Sequence, residues 1–116
     1  MAESLEIRVR QENGITVIET KGYINNEGGE KVVSTCDALI AEGRENFILQ
    51  LEQCTIVNSV GISFLIEVIE KIEHTGGRVA FCCVSSTIAK TFRIMGLLQS
   101  AAIYETEGEA RRILDG

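Results

Sequence analysis

FILQLEQCTIVNSVG, Phe47–Gly61, is the stretch whose reading decides the fold. Phe47, Ile48, Leu49 and Leu51 are dense enough in apolar side chains to make a buried strand. After a short connector, Asn58-Ser59-Val60-Gly61 opens an amphipathic helix. Ile62, Leu65, Ile66, Ile69 and Ile72 form its core stripe, and it runs to about Thr75. Ser63, Glu67, Glu70 and Lys71 fall on the opposite side. A strand that passes directly into a helix is half of a βαβ unit. A serine at this junction has its hydroxyl in water and the helix's unpaired N–H groups behind it, a position that suits a phosphate.

Towards the N-terminus, Leu5, Ile7 and Val9 alternate with Glu6, Arg8 and Arg10, the period of a strand with one wet face. Asn13-Gly14 tolerates the positive φ of a tight hairpin turn, Ile15–Thr20 returns, and Gly22 breaks the strand. Val32, Val33, Cys36, Leu39 and Ile40 then lie on one helical stripe, with Asn25 or Asn26 as cap and Gly43 as stop. Gly28-Gly29 in its first turn weakens it by roughly 1 kcal/mol per glycine relative to alanine, which predicts a fraying start.

Towards the C-terminus, Gly76-Gly77 ends the long helix and VAFCCV reads as a central strand buried on both faces. Ser85 or Ser86 caps a third helix bearing Ile88, Phe92 and Met95, stopped by Gly96. Ala102–Tyr104 is a short last strand. Thr106-Glu107-Gly108-Glu109 is a capping box for a final helix anchored by Ala110, Ile113 and Leu114. The predicted order is ββαβαβαβα: one α/β domain over residues 1–116, its mixed sheet mostly parallel after the hairpin, its crossovers right-handed.

Composition excludes several functions. The formal charge of −6, with lysine and arginine scattered, argues against nucleic acid, which requires basic surface. Arg111-Arg112 reads as favourable charge near a helix C-terminus. No apolar run approaches the ~20 residues of a membrane span. MAESLEIRVR lacks the apolar core of a signal peptide, so a cytoplasmic location is expected. The four cysteines, Cys36, Cys54, Cys82 and Cys83, and the single His74 have neither zinc nor redox spacing. Cys82 and Cys83, adjacent in a strand, should point to opposite faces and pack as small apolar groups. His74 lies four turns along the helix from Ser59, roughly 22 Å at 1.5 Å per residue, too far to activate it. With no phosphate loop or paired catalytic carboxylates, the expectation is no enzyme, no cofactor and no metal.

The junction VNSVGI, the helix exit HTGGRVAF and the segment FRIMGLLQSAAIY, in this order and spacing, resemble the STAS domain, and most closely its small free-standing bacterial members. The resemblance covers nearly the whole chain. It implies an anti-sigma-factor antagonist. In that family the first serine of a D-S-S-G motif is phosphorylated by a partner serine kinase that doubles as the anti-sigma factor. The unphosphorylated antagonist binds that kinase and releases a sigma factor, and a serine phosphatase resets the cycle. By position, Ser59 is the phosphoacceptor. Asn58 stands where the family has aspartate, and Val60 where it has the second serine. Any role of the aspartate in orienting the acceptor thus falls to an amide.

The expected partner-binding set is Asn58, Ser59, Val60, Gly61, Ser63, Phe64 and Glu67, and the expected state is a monomer or weak dimer. Ser59 has a plainer reading as the helix cap. Asn58 is itself a candidate cap, which would free the Ser59 hydroxyl. Val60 and Phe64, at i and i+4 outside the main stripe, either widen the core contact or form a docking patch beside Ser59. A second functional reading is a scaffold or accessory subunit of a stress-signalling or lipid-transport complex, in which the serine is unused.

Overall fold

Strand pairing begins at the hairpin. In the computed structural model, which describes residues 4–99 and 101–115, Asn13 and Gly14 take φ of 54° and 80° and fold β1 (Glu6–Glu12) onto β2 (Ile15–Ile24). Met1–Glu3 of the N-terminal segment, Ser100 of the FRIMGLLQSAAIY segment and Gly116 lie outside the described residues. The chain continues through α1 (Asn26–Ala41), β3 (Asn46–Val57), α2 (Ser59–His74), β4 (Arg78–Cys82), α3 (Ser86–Ile94), a 3-10 turn at Leu97–Gln99, β5 (Ala102–Tyr104) and α4 (Glu107–Asp115). The sheet order is β1-β2-β3-β4-β5, antiparallel only between β1 and β2. This is the predicted α/β order and mixed sheet.

Alternation along the strands supplies two apolar faces. One, with Ile18, Phe47, Leu49, Leu51 and Phe81, joins the main core built with α1, α2 and α3. The other, with Ile15, Val17, Ile48, Ala80 and Cys82, is covered by Ala110 and Leu114 of α4. Two arginines fasten α4 to the hairpin. Arg10 donates to Glu19 (2.7 Å), Glu107 (2.7 Å) and Glu12 (3.1 Å), while Arg111 donates to Glu107 (3.0 Å) and Glu12. The hydrogen bond to Glu107, then that to Glu19, raises the Arg10 pKa. Burial alone would raise the Glu107 carboxyl, but the bonds from Arg10 and Arg111 outweigh it and hold it below its ordinary 4.5. Arg111 is therefore a cross-link between elements. Arg112 lies in the last turn of α4, as expected, and Arg78 also holds that end, donating to the Leu114 and Ile113 carbonyls.

Several expectations are corrected. Gly22 does not end β2: at φ 114° it accommodates a register shift, and β2 pairs with β3 as far as Ile24 and Val57. The supposed connector before Asn58 is thus the second half of β3. The start of α1 is held by packing and by the Asn25 cap, because Gly28 lies against the Tyr23 carbonyl and Gly29 against Phe64. Met95 is exposed. The helix stops at Ile94, Gly96 turns the chain at φ 81°, and Leu97 takes the core position. Ile113 is also exposed, leaving Ala110 and Leu114 to anchor α4.

Cys82 and Cys83 do not point to opposite faces. Cys83 has φ 63° and leaves the strand, so both thiols join the cluster under α4. The capping box is present: Glu109 N–H donates to Thr106 Oγ1 (3.1 Å) and Thr106 N–H to Glu109 Oε1 (3.2 Å).

Candidate functional site

The site is the junction of β3 and α2. The Asn58 N–H donates to the Ile24 carbonyl (3.2 Å), which ties the junction to the end of β2. With extended φ and ψ of −91° and 178°, Asn58 is the N-cap of α2. Its Oδ1 accepts from the Gly61 N–H at 2.8 Å, and its carbonyl accepts from Ile62 at 2.9 Å. One of the helix's orphan donors is thereby satisfied by an amide oxygen.

Ser59 is consequently the first helical residue and not the cap. It is exposed, and among the described residues its hydroxyl has no hydrogen-bond partner. Ser63, one turn on, is exposed too, but its Oγ donates to the Ser59 carbonyl at 3.2 Å. Of the two hydroxyls, one is engaged by the helix backbone and one faces water unpaired. The first turn of α2 carries no acidic residue, so the positive end of the helix is uncompensated there.

Gly61 is buried and faces inward. A Cβ there would overlap the Ile24 carbonyl oxygen and lie 2.8 Å from its carbon, so glycine is what lets α2 start hard against the end of β2. Phe64 is half-buried, its ring laid over Gly29 of α1, where an added Cβ would sit 2.8 Å from both Phe64 Cβ and Cγ. Val60, 45% exposed, remains beside Ser59 on the outer surface. Glu67 is half-buried and pairs with Lys71 at 3.4 Å, and Lys71 reaches Asp37 of α1 at 2.9 Å. The hydrogen bond to Asp37, more than that to Glu67, raises the Lys71 pKa.

Asn58, Ser59, Val60 and Ser63 are therefore exposed, whereas Gly61 and Phe64 pack α2 against β2 and α1. Glu67, half-buried, pairs within α2 with Lys71, which makes the tie to Asp37 of α1. Ile56, 50% exposed and two residues before Asn58, is an exposed apolar strand residue that sequence reasoning missed because the segment was read as a connector. The strand's lengthening, which shows only in its pairing with β2, is the signal that brings it into view.

His74 is the last residue of α2 and Ser59 the first, so no imidazole is within reach of the hydroxyl. Among the described residues no group of three potential metal-ligating His, Cys, Asp or Glu side chains forms, and no helix is long and apolar enough to cross a membrane.

Solved structures share this architecture. An anti-sigma factor antagonist from Mycobacterium paratuberculosis superposes with a TM-score of 0.87 at 18% identity, with 100% of each chain covered. The Bacillus cell fate determinant SpoIIAA in its phosphorylated form gives 0.68 at 18% identity, over 93% of this chain and 99% of that one. RsbS of Moorella thermoacetica gives 0.76 at 15% identity, with 94% of each chain covered. At these identities the likeness is one of fold. The sequence itself matches the family model of the STAS domain over residues 6–110. With the ββαβαβαβα order, the mixed five-stranded sheet and the helix start at Ser59 all in place, the chain belongs to the STAS domain family.

Proposed function

We propose that this protein is an anti-sigma-factor antagonist that binds an anti-sigma factor with serine-kinase activity while Ser59 is unphosphorylated, and that phosphorylation of Ser59 switches it off. A serine phosphatase would restore the binding form. The observation that carries this reading is the division of labour at the helix start: Asn58 does the capping, and the neighbouring hydroxyl is exposed and unpaired. The resemblance of the chain to solved anti-sigma factor antagonists supports the class of partner.

A phosphoryl group adds about −1.5 to −2 charges and three acceptor oxygens. At an exposed helix N-terminus that charge is favourable by about 0.3–1 kcal/mol, so the fold tolerates it. Its effect falls on the partner, where like-charge contact in an interface costs several kcal/mol and each ~1.4 kcal/mol is tenfold in affinity. Val60 offers apolar contact area beside Ser59.

Asn58 supports a second reading, that of a scaffold or accessory subunit with an unused serine, because its amide oxygen is spent on Gly61 and the first turn of α2 carries no carboxylate. Incubation with the cognate kinase and ATP, followed by intact-mass measurement and peptide mapping, separates the two. A single phosphate on Ser59, absent from the Ser59→Ala variant, is expected for the switch. No phosphate, or one mapped to Ser63, rejects it in favour of the scaffold.

A further inference from the structure

Cys82 and Cys83 occupy neighbouring positions at the end of β4, where an extended chain would send their side chains to opposite faces. The left-handed φ of 63° at Cys83 instead rotates its side chain to the Cys82 side, and the two Sγ atoms lie 3.4 Å apart. Apart from Asn13 of the hairpin turn, Cys83 is the sole described non-glycine residue with positive φ. Such a conformation costs about 1–2 kcal/mol for an ordinary side chain and persists only where the surroundings impose it. Here the Cys83 N–H donates to the Tyr104 carbonyl of β5 at 3.2 Å, and both cysteines pack with Ala110 and Leu114 of α4. Two thiols are thus held within reach of each other by three elements.

We infer that Cys82 and Cys83 form a two-electron redox site that reduces a hydroperoxide and closes to a vicinal disulfide. Cys83, half-buried, is the attacking sulfur, and Cys82, fully buried, is the resolving one. In the first step the Cys83 sulfur bonds to the terminal peroxide oxygen and the O–O bond breaks. The thiol proton goes to the leaving oxygen, giving an alcohol, or water from hydrogen peroxide, and a sulfenic acid on Cys83. In the second step the Cys82 sulfur bonds to the Cys83 sulfur, the S–O bond breaks, and the Cys82 proton leaves with the hydroxyl as water. Two thiols lose two electrons and two protons, and the peroxide takes up both.

Neighbouring Cα atoms are ~3.8 Å apart, below the ~4.4–6.8 Å usual across a disulfide, so the closed ring is strained and readily reduced by other thiols. That suits a reversible sensor and not a structural bridge. The remaining thiols are poor competitors. Cys36 and Cys54 are both buried in the separate core cluster on the other face of the sheet, away from Cys82 and Cys83. The inference is independent of any modification of Ser59. It also departs from the expectation that Cys82 and Cys83 pack merely as small apolar groups.

The test uses the full, reduced chain exposed to hydrogen peroxide, quenched by alkylation in denaturant and weighed without reductant. The expected product has lost two hydrogens and carries alkyl groups only on Cys36 and Cys54. Peptide mapping should place the bridge between Cys82 and Cys83, and dithiothreitol should restore both thiols. The Cys83→Gly variant, whose new residue accepts the positive φ without strain, should fold and form no bridge. Cys82→Ala should stop at the Cys83 sulfenic acid, trapped by dimedone. Over-oxidation of Cys83 without a bridge, a disulfide to Cys36, Cys54 or another chain, or persistence of both free thiols in excess peroxide would each overturn the proposal.

Discussion

Replacing Asn58 and Ser59 by alanine, one at a time, tests which residue starts α2. In Asn58→Ala the 2.8 Å bond to the Gly61 N–H is lost, and the donor it satisfied belongs to a buried residue pressed against Ile24. Loss of an Asn cap costs about 0.5–2 kcal/mol, typically ~1, and the burial of Gly61 places this site in the upper half of that range. At an unfolding entropy of about 2.1 cal/mol/K per residue, a chain of 116 residues loses roughly 4 °C of Tm per kcal/mol. Asn58→Ala should therefore melt roughly 4–8 °C below the parent. Ser59→Ala removes an exposed hydroxyl without a partner and should stay within about 0.5 kcal/mol, or ~2 °C.

Asn58→Asp, an equally good cap, should keep the parent Tm while placing a carboxylate beside Ser59. Differential scanning calorimetry reads all three. A larger loss for Ser59→Ala than for Asn58→Ala would mean that Ser59 is the cap, and the case for a free phosphoacceptor hydroxyl would fail with it.

Three further outcomes follow from the same geometry. Gly61→Ala forces a Cβ onto the Ile24 backbone and should cost at least the ~1–3 kcal/mol of an overpacked core, read by urea denaturation; a neutral result would contradict the close approach. Phe64→Ala should destabilise measurably because the ring covers Gly29. Val60→Ala should leave stability within about 0.5 kcal/mol and weaken partner binding, so equal effects on stability would undo the assignment of Val60 to the outer surface. Glu107, with its carboxyl held below 4.5 in the fold, contributes stability that is present above about that pH and lost as pH falls through the lowered value. Glu107→Gln should therefore show a shallower loss of Tm on acidification from about pH 7 to pH 3, and parallel curves would assign the acid sensitivity to other groups.

Much of this protein was legible from neighbours along the chain. The Asn13-Gly14 turn, the stripe of Ile62, Leu65, Ile69 and Ile72, the Ser85 cap and the Thr106–Glu109 capping box all reside in a few consecutive residues, whose backbone preferences and periodicity act locally. The placement of Ser59 at a helix start follows from the same local rules. So does the order of strands and helices, because each change of hydrophobic period marks one element.

What tertiary structure decided is which surfaces meet. Gly28 and Gly29 read as weak helix formers and Gly61 as part of a helix opening, yet each sits where another element's atoms leave no room for a Cβ: the Tyr23 carbonyl, the Phe64 ring and the Ile24 carbonyl. The second half of β3, with the exposed Ile56, exists because β2 continues past Gly22 to pair with it. Phe64 turned inward because Gly29 left a space for its ring, and Cys83 turned beside Cys82 under contacts from β5 and α4. Local pattern states which side of an element is apolar. It carries no record of how closely the opposing element approaches, and at this helix start that distance settles which side chains remain exposed.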